Sequence, residues 1–123
     1  MARVVALIPD LLFGSRVQEM LTSGGHEVTL CSEAGTARSQ ASGSDVFLVD
    51  LATGPLEGLE LVQSMLEAGE LARTRTLGFY SHVDADTRRR AENAGFDLVV
   101  PRSRMAREGA ELVSRLLAGG SLQ

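Results

Sequence analysis

The sequence contains no lysine and no tryptophan, and it has a single cysteine among its 123 residues. Because all twelve basic residues are arginine, any cation in a functional site must be a guanidinium, and chemistry that needs a lysine amine is excluded. Cys31 lacks the partners of a disulfide or of a metal-thiolate framework. We therefore expect it to be a buried structural thiol.

Long apolar runs and an excess of positive charge are also missing. No apolar stretch approaches the roughly 18 residues that a membrane span requires, and no charged-then-apolar signal peptide begins the chain. The net charge of −4 provides no electrostatic attraction to nucleic acid or to an anionic membrane. We therefore expect a cytoplasmic protein that binds neither of them.

The composition that is present fits one soluble α/β domain. Hydrophobic residues make up 44% and charged residues 23% of the chain, which is ordinary for a globular protein. The length supports one hydrophobic core rather than two. We expect a single domain over residues 1–118 and a flexible tail over residues 119–123, where the sequence is Gly-Gly-Ser-Leu-Gln.

The central feature of the sequence is the apolar run Val-Phe-Leu-Val at residues 46–49, which is bounded by Asp45 and Asp50. An unbroken apolar run of this length is typical of a strand that is covered on both faces in a parallel sheet. Turn residues follow it, and a helical pattern runs from about 57 to 69. Asp50 thus ends a strand. Open α/β sheets bind their ligands outside the carboxyl ends of the strands, so Asp50 is a candidate site residue. An aspartate there is also a common turn former, so both interpretations stay open.

Similar reasoning predicts the remaining elements. Further strands are predicted at residues 3–8, 26–31, 74–80 and 96–100, and further helices at about 12–23, 33–42, 84–94 and 105–117. Five strands that alternate with five helices predict a parallel sheet with helices on both faces, a three-layer flavodoxin-like sandwich. The strand order 2-1-3-4-5 of that fold would bring Asp10, which follows the first strand, next to Asp50.

Several spacings match a known family. Asp50 ends the third strand, Gly58-Leu59-Glu60-Leu61 begin the next helix, Ala94-Gly95 close the fourth helix, and Arg102 lies 52 positions after Asp50. On these residues the chain resembles the receiver domain of two-component response regulators (CheY-like) over residues 3–117. The resemblance implies that Asp50 is a phosphoacceptor and that Arg102 replaces the lysine that contacts the phosphoryl group. It also implies a Mg²⁺ site at Asp10, Asp50 and the Ala52 carbonyl.

Three positions depart from the family pattern: Pro9, Tyr80 and Arg102, which replaces a lysine. Pro9 replaces one of two adjacent acids, so we expect Mg²⁺ binding to be weak or absent. Tyr80, 30 positions after Asp50, replaces a serine or threonine, and Ser81 follows it. The resemblance makes Tyr80, Ser81 and Arg102 candidates for binding a phosphoryl group or another anion. The Tyr80 phenol could also narrow the approach to Asp50.

The sequence favours one function and leaves two alternatives. The favoured function is a stand-alone receiver-like signalling domain, not an enzyme, with an altered phosphoacceptor site. It would act through contacts with a protein partner, such as a histidine kinase or a downstream effector. It could also form a weak homodimer through its fourth helix, fifth strand and fifth helix. The alternatives are a competent receiver phosphorylated on Asp50 with Mg²⁺, and a binding domain for a small anion held by Arg102 and strand-end amides.

Overall fold

The structure is a computed structural model that describes residues 2–81 and 84–119. Strands and helices alternate as the sequence predicts, with boundaries shifted by up to three residues: β1 (Arg3–Leu7), α1 (Leu11–Ser23), β2 (Glu27–Cys31), α2 (Ala34–Ala41), β3 (Val46–Asp50), α3 (Pro55–Glu67), β4 (Arg75–Tyr80), α4 (Ala85–Ala94), β5 (Leu98–Pro101) and α5 (Arg102–Leu117). Residues 120–123 of the predicted tail lie outside the described residues. No helix within the described ranges combines the length and the apolar composition needed to cross a membrane.

The five strands form one parallel sheet in the order β2-β1-β3-β4-β5. This order confirms the predicted flavodoxin-like architecture. β3 is the central strand, and all five of its residues are buried. Its register aligns Val49 with Leu7 of β1 and Asp50 with Phe79 of β4. The loops that follow β1 and β3 therefore lie side by side at the carboxyl edge of the sheet. This is the topological switch point of the fold, where the strand order reverses.

The core is divided between the two faces of the sheet, because successive strand residues point to opposite faces. Phe47 and Val49 of β3 lie in the cluster that α2, α3 and α4 cover. Leu48 lies in the cluster that α1 and α5 cover, together with Phe79 of β4. Cys31 is a buried free thiol, as predicted, and burial raises its pKa.

The boundaries of β5 and the start of α5 differ from the prediction, and the start of α5 determines where Arg102 lies. β5 begins at Leu98, because Asp97 is engaged by side-chain hydrogen bonds instead of continuing the strand. Its Oδ2 accepts from the backbone N–H of Thr76 at 2.8 Å, and its own N–H donates to Thr76 Oγ1 at 2.9 Å. α5 begins directly after Pro101 and not at residue 105. Arg102 is therefore the first residue of α5, at the carboxyl edge of the sheet.

Candidate functional site

Asp50 is a buried carboxylate at the end of the central strand, with 4% of its surface exposed. Its Oδ1 accepts hydrogen bonds from the backbone N–H groups of Ala52 at 2.7 Å and Thr53 at 3.2 Å. Burial raises the pKa of Asp50, while these two hydrogen bonds and the positive charge on Arg102 oppose the rise. The β3–α3 loop thus orients the carboxylate toward the carboxyl edge of the sheet.

Asp10 is the N-cap of α1 and an ion-pair partner at the same time. Its Oδ1 accepts from the backbone N–H groups of Leu12 at 3.1 Å and Phe13 at 3.2 Å, which is the usual bonding of a capping aspartate. Its Oδ2 accepts from Arg102 Nη2 at 3.2 Å. The hydrogen bond from Phe13, followed by the contact with Arg102, holds the pKa of Asp10 below its ordinary value. Both carboxylate oxygens of Asp10 therefore already have donors.

Arg102 reaches from α5 across to α1. Its guanidinium lies 4.1 Å from the centroid of the Phe13 ring and also pairs with Asp10. The face of an aromatic ring attracts a cation, so the ring and the carboxylate hold the guanidinium in one place. The side chain stays 41% exposed. Arg102 therefore contacts Asp10 directly and influences Asp50 through its charge.

The structure places Tyr80 and Ser81 in different surroundings. Tyr80 is 5% exposed, and its side chain belongs to the core cluster that α3 and α4 cover. Ser81 follows β4 and helps to line a depression of about 430 Å³ between α1 and α5, with Phe13, Arg16, Ala52, Arg102, Ser103 and Ala106. Ser81 is therefore the member of this pair that shares a depression with Arg102. An anion-binding role for Tyr80 stays a prediction.

Asp50 opens onto a second depression, of about 650 Å³, on the α3 side of the carboxyl edge. Its lining includes Pro9, the acidic residues Glu57 and Glu60 of α3, and Arg90 of α4. The candidate site residues predicted from the sequence did not include Arg90, one of three consecutive arginines at residues 88–90. A single helix turn cannot point all three side chains in the same direction, and this geometry could have separated Arg90 from its neighbours.

Exposed leucines flank the carboxyl edge, and the sequence interpretation missed these as well. Leu11 is 68% exposed and Leu12 is 80% exposed in the first turn of α1, while Leu56 is 53% exposed in the first turn of α3. The first two leucines lie outside the apolar stripe that buries Phe13 and Val17. Their position outside this stripe could have identified them from the sequence. A large apolar residue that lies off the buried face of a helix must face solvent or a partner.

The residues present do not fit a strong Mg²⁺ site. Mg²⁺ requires octahedral oxygen coordination, usually from one or two carboxylates together with several waters. Pro9 supplies no carboxylate, and both oxygens of Asp10 accept hydrogen bonds from other groups. Within the described part of the chain, no group of three or more His, Cys, Asp or Glu side chains is arranged to hold a metal ion. An ion held by Asp10, Asp50 and the Ala52 carbonyl would have one carboxylate fewer than a site with two adjacent acids, so we expect it to bind weakly.

Comparisons with known proteins establish the fold. No protein-family model matches the sequence, and the search of curated proteins gives no match either. Among solved structures, the chain is similar to the receiver domain of the Francisella response regulator 1452, with a TM-score of 0.83 and 14% identity over 97% of this chain and 98% of that chain. It is also similar to the signal receiver domain of the putative response regulator NarL from Mycobacterium tuberculosis, with a TM-score of 0.81 and 19% identity over 97% and 98%.

A CheY-like response regulator receiver domain protein from Methanospirillum hungatei is similar as well, with a TM-score of 0.79 and 19% identity over 97% of this chain and 95% of that chain. The chain thus has the fold of CheY-like response regulator receiver domains, as the sequence predicted. At these identities the similarity establishes the fold, and the chemistry of the site has to be argued from the residues themselves.

Proposed function

We propose that the protein is a receiver-like signalling domain with an altered phosphoacceptor site, and that it acts through contacts with other proteins. The observation that carries this proposal is the ion pair between Arg102 and Asp10, at 3.2 Å. Transfer of a phosphoryl group to a carboxylate needs cations that offset the repulsion between two anions. Here the arginine at the site is engaged by Asp10, and Pro9 provides no second carboxylate beside it.

The exposed leucines support action through protein contacts. Leu11 and Leu12 are adjacent on α1, and Leu56 lies on the rim of the Asp50 depression. Large exposed apolar side chains that group on one part of a surface commonly mark an interaction site. A protein partner such as a histidine kinase or a downstream effector would cover these leucines at the carboxyl edge, where it could also sense the state of Asp50.

The face formed by α4, β5 and α5 is a second candidate interface. Its charged residues pair mainly within their own helices, as Arg88–Glu92, Arg89–Asp86, Arg104–Glu108, Arg107–Glu108 and Arg115–Glu111. These pairs are well exposed, and exposed pairs contribute little stability each. Because the face neutralises much of its own charge, self-association through it should be weak.

We expect the protein to self-associate weakly through this α4-β5-α5 face, and we expect added salt to reduce the association, because exposed charges are screened. Sedimentation analysis over a range of protein and salt concentrations measures this property. The double substitution Arg104→Glu and Arg107→Glu should abolish the association, whereas Glu27→Gln, an exposed residue of β2 at the other edge of the sheet, should leave it unchanged. A monomer under all salt conditions, combined with a pull-down that the double substitution does not alter, would exclude this face as the interface.

Magnesium affinity tests the altered site itself. We expect the wild type to bind Mg²⁺ weakly, and we expect Pro9→Asp to bind it more tightly, because this substitution restores a second carboxylate beside Asp10. Chemical-shift titration of backbone amides near Asp50 measures the affinity, with Glu33→Gln, an exposed residue before α2, as a control for non-specific charge effects. Tight, saturable Mg²⁺ binding by the wild type would contradict the proposed altered site.

A further inference from the structure

The depression onto which Asp50 opens carries an excess of negative charge. Its lining includes three carboxylates, those of Asp50, Glu57 and Glu60, and one guanidinium, that of Arg90. We propose that this depression of about 650 Å³ is a binding site for a primary ammonium group carried on a short apolar chain. The inference goes beyond the proposed signalling function, because it gives Asp50 a ligand that involves neither phosphoryl transfer nor a metal ion.

Asp50 supplies a buried acceptor that its own surroundings leave incompletely paired. Only 4% of its surface is exposed, and the two backbone hydrogen bonds from Ala52 and Thr53 both go to Oδ1. Within residues 2–81 and 84–119, Oδ2 has no backbone donor and no ion-pair partner, and the Thr53 hydroxyl has only a minor effect on the pKa of Asp50. Burial raises this pKa, because the ionised form has lost water. A bound cation would restore the stabilisation that burial removes.

The charges around the depression favour a cation. Three carboxylates and one guanidinium in the lining leave two uncompensated negative charges. Beside Asp50, Arg102 and Asp10 form an ion pair that carries no net charge. The N-terminus of α3 adds about half an elementary positive charge, which is smaller than the excess of the carboxylates. The local field therefore attracts a positively charged group.

Apolar side chains in the lining favour an organic cation over a hydrated metal ion. Leu7, Pro9, Pro55 and Leu56 line the same depression, and Leu56 is 53% exposed. Mg²⁺ keeps several of its waters and gains nothing from an apolar wall, whereas an alkyl chain is removed from water when it packs there. Pro9 therefore acts in two ways, since it withholds a carboxylate from a metal ion and offers its ring to an alkyl chain.

The acceptors suit an ammonium better than a guanidinium. A guanidinium binds best when it donates to both oxygens of one carboxylate, but Oδ1 of Asp50 already accepts two backbone hydrogen bonds. An ammonium is a compact charge with three donors, so it can donate to Oδ2 of Asp50 and keep donors for Glu57 or Glu60. Arg90 also lines the depression, yet it forms no ion pair with any acid of the described part of the chain.

Titration of the whole chain with n-butylammonium chloride tests the proposal. Backbone amide chemical shifts are followed in the presence of a chelator, with sodium chloride keeping the ionic strength constant. We expect saturable shifts at the amides of Ala52, Thr53 and Glu57. We also expect n-butylammonium to bind about tenfold more tightly than methylammonium, because its three additional methylene groups are partly removed from water.

Four substitutions test which charges hold the ligand. Asp50→Asn should raise the Kd about tenfold, since it removes a charge-assisted hydrogen bond. Glu60→Gln should raise it less, because the charge of this exposed residue is screened. Arg90→Gln should lower the Kd, because it removes a competing cation from the same depression. Glu19→Gln, an exposed residue of α1 on the other face of the sheet, should leave it unchanged.

A parallel titration with N-acetyl-lysine N-methylamide distinguishes the two sources of the ammonium group. Binding at least as tight as that of n-butylammonium supports a lysine side chain of a partner protein, and weaker binding supports a free amine. Linear, non-saturating shifts, equal affinities for n-butylammonium and methylammonium, equal effects of Asp50→Asn and Glu19→Gln, or a higher Kd for Arg90→Gln would overturn the proposal. None of these measurements involves phosphorylation or protein docking, so this inference and the proposed function can fail separately.

Discussion

Replacing Phe13 by alanine is expected to lower the free energy of unfolding by about 3–5 kcal/mol, as for other buried phenylalanines. Phe13 is 7% exposed, and its ring centroid lies 5.2 Å from that of Phe79 in the core under α1 and α5. The same ring supports the guanidinium of Arg102. The substitution would therefore leave a cavity and also release Arg102 from one of its two contacts.

Urea denaturation of the wild type, Phe13→Ala and Phe13→Leu separates these two effects. Leucine keeps most of the buried apolar volume but provides no aromatic face, and the lost cation–π contact itself is worth about 0.5–1 kcal/mol at an exposed site. We therefore expect Phe13→Leu to be clearly more stable than Phe13→Ala. If Phe13→Ala is as stable as Phe13→Leu, the side chain of Phe13 does not fill the core in the way the structure indicates.

The order of elements could be predicted because each strand is marked by a short apolar run and followed by a turn. The helical pattern of α2 is the least marked in the sequence, and the structure shows the physical reason. This helix buries only Ala37 and Ala41, so it has no stripe of large apolar residues that a sequence pattern would reveal. Hydrogen bonds from Arg38 to Glu70, at 2.8 and 2.9 Å, add a contact between residues 32 positions apart that no local pattern reveals.

The position of Asp10, Asp50 and Arg102 at one edge of the sheet could be predicted, but their contacts could not. The sequence pattern identified Asp50 because it ends a predicted strand, and it identified Arg102 because it follows one. The bond between Arg102 and Asp10 joins residues 92 positions apart, and no local pattern encodes it. It also depends on where α5 begins, which the sequence prediction placed three residues too late.

The surroundings of Tyr80 could have been predicted more fully. Side chains alternate between the two faces of a strand, and Phe79 points toward α1 and α5. Tyr80, the next residue, therefore points toward α3 and α4, where its ring is buried. The ring of Tyr80 therefore contributes to the core. This position argues against the hypothesis that the ring blocks the approach to Asp50.

We expect phosphorylation of Asp50 to be slow or absent, and we expect the shortage of cations to be the main reason. Loss of one electrostatic contact to a transition state typically costs roughly 10²–10³ in rate. The double substitution Pro9→Asp and Arg102→Lys restores a carboxylate and a more compact cation, so it should accelerate phosphorylation by about 10²-fold. Tyr80→Thr should give a smaller gain, because the ring lies in the core. A gain confined to Tyr80→Thr would instead locate the block at that ring.

The central claim is tested most directly by mass spectrometry of the intact protein after incubation with acetyl phosphate and Mg²⁺, with Asp50→Asn as the control that cannot accept the group. The altered-site proposal predicts that the wild type remains largely unphosphorylated under conditions in which the Pro9→Asp and Arg102→Lys double variant is modified. Rapid, stoichiometric phosphorylation of the wild type that Asp50→Asn abolishes would contradict the proposal and identify the protein as a competent phosphoacceptor.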